Sequence, residues 1–150
     1  MRVMMTVMSI LLAAGPASAS GGLSCGAKDE AVNLTIESGV TRGMGSPVFD
    51  FRGQIVLSDK AISEDLRATH FERAHLAQYW LDGEELRMVV YREREGDKPH
   101  GYVEVTIRTR SGEEGDYVGQ YSVTVFDLTE SSSGEGKTYN FTGRAVCLVE

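Results

Sequence analysis

Apolar and polar residues alternate with a period of two along most of the chain beyond residue 30. Val32, Leu34 and Ile36 interleave with Asn33, Thr35 and Glu37. Phe49, Phe51, Gly53, Ile55 and Leu57 interleave with Asp50, Arg52 and Gln54, and Val103, Val105 and Ile107 with Glu104, Thr106 and Arg108. Tyr117, Gly119, Tyr121, Val123 and Val125 share one face of a later segment, and Tyr139, Phe141, Gly143, Ala145 and Cys147 one face of the last. Successive side chains of a strand point to opposite sides, so each segment reads as a strand with one buried face. Together they predict an all-β domain, a small antiparallel barrel or sandwich of about 7–8 strands.

Residues 76–81 and 84–94 flank Asp82-Gly83, the dipeptide suited to a two-residue type I′ hairpin turn. That turn sets Tyr79 opposite Leu86 and Ala77 opposite Met88. Trp80 then lies on the other face, with Leu76, Val89 and Tyr91. The charges of Arg92-Glu93-Arg94-Glu95 are expected to run out into solvent. Residues 39–47 and 131–136, rich in glycine and serine, read as long loops. Residues 59–75 fit either a short helix at 60–66, capped by Asp59, or an edge strand at 67–73; the short helix is the expectation adopted. Gly53, Gly119 and Gly143 sit at the centres of apolar strand faces, where glycine permits a bend or a close approach. Such kinks favour a barrel over a sandwich.

The first nineteen residues differ from the rest. Met1 to Ala14 is apolar apart from Arg2 and small polar residues, and Ala17-Ser18-Ala19 forms an A-x-A cleavage site. Residues 1–19 are therefore expected to be a secretory signal peptide, and 20–150 a single β domain. Cys25 and Cys147, the chain's two cysteines, then stand near the two ends of the mature protein. In an exported chain they are expected to pair, closing a loop of about 120 residues worth roughly 4–5 kcal/mol. Lipidation of Cys25 is the competing reading, weakened by the absence of leucine three residues upstream. The localisation expected is exported, periplasmic or extracellular.

Composition narrows the partners. The chain carries 15 Lys+Arg against 22 Asp+Glu, a formal charge of −7. An acidic surface repels phosphate backbones and anionic lipid heads, so nucleic acid and membrane surfaces are not expected partners. A cationic protein remains compatible. No apolar run after the signal approaches the roughly 20 residues of a spanning helix.

Candidate chemistry is sparse. His70, Glu72 and His75 could in principle hold Zn²⁺ or do acid–base work, but their spacing matches no zinc signature. The acidic stretches 93–97 and 113–116 lack the spacing of a calcium loop. No nucleophile elbow or phosphate-binding loop occurs. No cofactor, metal or catalytic set is expected, and the chain reads as a non-enzyme. The binding candidates are Met44 and Ser46 in the 39–47 loop, Tyr79 and Trp80 in the hairpin, and His70 and His75 beside it. The function expected is an exported binding domain acting by protein–protein contact, such as an inhibitor of a cationic enzyme. The alternative is a lipocalin-like carrier holding a small apolar ligand against the inward aromatics.

Overall fold

The alternating segments do form strands, and their apolar phases meet in one interior. The computed structural model describes residues 20–41, 43, 45–112, 115–128 and 134–150. Among these lie nine strands: β1 (Ser20–Lys28), β2 (Val32–Thr41), β3 (Val48–Leu57), β4 (Ala68–Glu72), β5 (Leu76–Leu81), β6 (Glu85–Glu93), β7 (Gly101–Ser111), β8 (Asp116–Leu128) and β9 (Gly136–Val149). One short helix, α1 (Glu64–Arg67), precedes β4. The sheet runs β4-β3-β2-β1-β9-β8-β7-β6-β5, every pairing antiparallel, as a nearly closed barrel. The expected signal peptide lies outside the described residues.

The first and last strands are neighbours. Cys25 stands directly opposite Cys147 across the β1–β9 ladder, and the two form a disulfide spanning 122 residues of sequence. The pairing expected from cysteine placement is thus present, and Cys25 is not available for a lipid.

On the far side of the barrel, one run of chain serves two neighbours. Eight antiparallel steps separate β4 from β5 around the sheet, so the two point the same way. Only a 3-10 turn, Arg73–His75, interrupts them. The run pairs first with β3, from Ala68 to Glu72, and then with β6, from Leu76 to Leu81. An eight-stranded meander whose split strand counts twice gives the nine. Arg92 of β6 spans part of the seam, donating from Nη1 to the His70 carbonyl at 2.6 Å.

The interior is filled. Ile55, Leu86, Val90, Val103, Val105, Ile107, Val125 and Ala145 are 0% exposed, with Leu34, Ile36, Tyr121 and Val123 at 1%. Burying each such aliphatic side chain contributes roughly 1.5–3 kcal/mol relative to leaving it in water. Two strand glycines make this packing possible. A Cβ at Gly119 would lie 2.1 Å from the Arg108 carbonyl oxygen, so β7 and β8 approach more closely there than a side chain allows. At Gly143 a Cβ would lie 2.6 Å from the Tyr121 ring, which crosses the glycine and donates from its hydroxyl to Asp29 in the β1–β2 turn.

Residues 58–67 lie over one end of the barrel. Ile62 and Leu66 are buried there, and the Tyr139 hydroxyl donates to the Ala61 carbonyl. A buried ionic cluster fastens this segment. The Ser63 N–H donates to Asp127 Oδ2 at 2.8 Å, and Arg94 reaches Asp127 at 2.8 Å and Asp65 at 2.7 Å. The Arg94 side chain is 5% exposed and that of Asp127 1%. Arg94 therefore does not run into solvent as its alternating charged neighbours suggest.

Other local expectations shift. The helix occupies 64–67 rather than 60–66, and the 67–73 alternative is realised as well, as β4. The hairpin registers two residues further on, with Tyr79 opposite Met88 and Trp80 opposite Arg87. Its cause is Asp82, whose carboxylate accepts the Glu84 and Glu85 N–H groups and widens the turn. A two-residue slip leaves the faces unchanged. A bulge between Leu76 and Gln78 does change one, turning Leu76 into the core. Likewise Asp50, at φ 50, follows a register shift at residues 37–39 and leaves Phe49 42% exposed.

Candidate functional site

The structure does not bring the two histidines together. Glu72 and His75 cap the 3-10 turn reciprocally: the Glu72 side chain accepts the His75 N–H, and His75 Nδ1 accepts the Glu72 N–H at 2.8 Å. The His75 ring also meets Phe71 edge-on. His70, exposed on the outer face of β4, shares no partner with it. Among the described residues, no three His, Cys, Asp or Glu side chains are grouped to hold a metal ion. The residue types suited to acid–base work are therefore spent on local structure or stand alone.

The other candidates separate in the same way. Met44 lies outside the described residues. Ser46, at φ 41, donates its N–H to the Gly43 carbonyl in the β2–β3 loop and meets none of the other candidates. Tyr79 points inward from β5. Its hydroxyl is buried without a hydrogen-bond partner among the described residues, and burial pushes it up to about 12, with Tyr117 adding to the effect. Trp80 points outward and is 58% exposed, its indole N–H donated to Asp82 at 3.0 Å. Asp82 is held below the usual carboxylate range by the Glu85 and Glu84 N–H groups and by that indole.

Trp80 begins a row that crosses five strands. It stands opposite Arg87 of β6, Arg87 opposite Arg108 of β7, Arg108 opposite Gln120 of β8, and Gln120 opposite Arg144 of β9. All five side chains are on the outer, exposed face. Arg110, two residues along β7, extends the row on one side. Two neighbouring depressions follow this face. One of about 590 Å³ is lined by Trp80, Asp82, Arg87 and Arg108, and one of about 690 Å³ by Arg87, Arg108, Arg110 and Gln120, with Thr106 and Ser122.

The charge here opposes that of the whole chain. Glu85 pairs with both Arg87 and Arg110. Among the described residues, no carboxylate forms a salt bridge with Arg108 or Arg144. Arg87 faces Arg108 directly, and like charges directly opposite across a ladder are destabilising. Further along the same outer face, Tyr91 packs tilted against Tyr102, which stacks on Phe126, with ring centroids 5.3 and 5.9 Å apart. The Tyr91 hydroxyl is pushed up to about 12 by burial and by its hydrogen bond to Glu93.

Chemically, this face offers planar guanidiniums, an exposed indole and small hydroxyls. These are groups suited to binding. Arg87, Arg108, Gln120 and Arg144 escape the sequence reading because each is only the polar phase of an alternating segment. Strand register alone puts them side by side. Comparison with protein-family models, with curated proteins and with solved structures found no match for the chain.

Proposed function

We propose that this is an exported, non-enzymatic binding domain that engages another protein through the outer face of β5–β9. The observation carrying this reading is the row from Trp80 through Arg87, Arg108 and Gln120 to Arg144. Tryptophan and arginine dominate the energetics of protein interfaces, because each combines a large contact area with directed hydrogen bonding. The occupied interior supports the outside over the inside. Inward side chains at 0–1% exposure leave a carried ligand no room without repacking. The disulfide supports export, since such bonds persist in oxidising compartments.

The test is native mass spectrometry of the protein taken from its own compartment without denaturation. The expected result is a second protein retained on the chain. A bare chain, or an adduct of small-molecule mass lost on denaturing, overturns the reading.

A further inference from the structure

We infer that the row formed by Arg87, Arg108 and Arg144 with Trp80 receives a short acidic segment of a partner protein. This rests on the reading of the β5–β9 face as the binding surface, and it adds the partner's chemistry. The net charge of −7 points to a cationic partner. Contact, however, is decided by the groups that touch: the larger depression is lined by Arg87, Arg108 and Arg110 with Glu85 as its one carboxylate, Arg144 extends the row, and Asp82 stands at the Trp80 end.

Three observations favour an acidic peptide over other anions. First, Arg108 and Arg144 have no carboxylate partner among the described residues, so their guanidinium forks are open to bidentate carboxylates. Strand spacing of about 4.8 Å sets Arg87 and Arg108 one strand apart, and Arg108 and Arg144 two. Carboxylates three or four residues apart on a helix recur at about 5–6 Å, close to one strand spacing. Secondly, carboxylates flank the row: Asp82 and Glu85 beside it, and Glu93 and Glu104 further along the same outer face. A long polyanion such as nucleic acid or a sulfated polysaccharide would overrun the row and be repelled, whereas a short segment stays within it. Thirdly, both depressions are lined by arginine with no lysine, and Trp80 stands at the end of the row as an apolar anchor.

Trp80 is the chain's one tryptophan, so its emission reports from this row alone. The experiment titrates the disulfide-bonded protein with an oligoglutamate peptide at low salt and follows that emission. Oligolysine, a single-stranded oligonucleotide and a sulfated oligosaccharide serve as comparators. The expected result is a saturable change with oligoglutamate that weakens as salt rises. Affinity should fall roughly tenfold in the Arg108→Gln/Arg144→Gln double variant. Both positions are exposed, and an unchanged unfolding midpoint certifies the variant's fold. No change with oligoglutamate, equal binding by the double variant, or tighter binding of any comparator overturns the inference. A partner still retained in native mass spectrometry would then leave the binding-domain reading standing with another contact chemistry. Loss of that partner as well would end both.

Discussion

Arg94 and Asp127 form an ion pair 2.8 Å apart with almost no exposure to water. A buried pair is not itself strong evidence of stability, because desolvation offsets much of the attraction. Removing one partner is different, since it strands the other charge in the interior. Arg94→Met is expected to destabilise the fold by about 3–5 kcal/mol in urea titration at neutral pH. Arg94→Met/Asp127→Leu should recover part of that loss. A double variant as unstable as the single one would show that packing, and not the stranded carboxylate, is responsible.

The same cluster makes a statement about acid. Burial by itself raises Asp127 and Asp65, but the Ser63 N–H and Arg94 at Asp127, and Arg94 and Lys98 at Asp65, outweigh it. Both carboxyls are thereby held below their ordinary value of 3.8. Groups depressed on folding contribute fully above their unfolded pKa and lose that contribution as pH falls through the folded value. Stability from this cluster should therefore hold down to about pH 4 and fall below it. In Arg94→Met, Asp127 keeps the Ser63 N–H but loses Arg94, so burial raises its carboxyl relative to the parent protein. The gap between the two proteins should then narrow on acidification, read as unfolding midpoints at several pH values.

Tyr121 and Gly143 are expected to fail in different ways. The Tyr121 hydroxyl is the largest cause holding Asp29 below the carboxylate range. Tyr121→Phe should cost roughly 1–2 kcal/mol and let Asp29 titrate higher, as followed by NMR. Gly143→Ala keeps the hydrogen-bonding groups but pushes a methyl to 2.6 Å from both the Tyr121 ring and Asp29 Oδ2. Its cost should be roughly 1–3 kcal/mol of overpacking. An unchanged midpoint in Gly143→Ala would mean the ring moves aside freely.

Tyr79 offers a gain. Its hydroxyl is buried without a partner among the described residues, and leaving a buried donor unsatisfied costs about 1–3 kcal/mol. Tyr79→Phe removes that penalty and keeps the ring, so the thermal midpoint should stay level or rise. A clear fall would show that the hydroxyl has a partner in solution.

The disulfide should matter through the unfolded state. Cys25 and Cys147 close 122 residues of chain, for which the entropy model gives about 4–5 kcal/mol. Cys25→Ala/Cys147→Ala is expected to lower the denaturant midpoint strongly while keeping the far-ultraviolet β signature. Loss of that signature would mean the interior cannot hold the barrel without its cross-link.

Strand content and the cysteine pairing are legible because period-two alternation and cysteine placement are local signals. Face assignments hold where the ladder is regular and fail at bulges. Asp50 turns Phe49 outward, and the bulge after Leu76 turns that residue inward. Nothing in a period of two marks either in advance. Arg94 looks solvent-bound from its charged neighbours, yet its partners Asp65 and Asp127 lie 29 and 33 residues away. The arginine row is harder still. Its members come from five strands, and only their register, from Trp80↔Arg87 to Gln120↔Arg144, places them in one line.

The divided strand gives the wall of the barrel an uneven seal. At β1 and β9 the sheet is closed by a ladder and a covalent bond, while at the opposite side β4 and β5 each bond to one neighbour only. Breathing of the wall should therefore start where the split strand hands over from β3 to β6. Amides of residues 68–81 should exchange with solvent well before those of β8 and β9. The clasp and the leak sit across from each other.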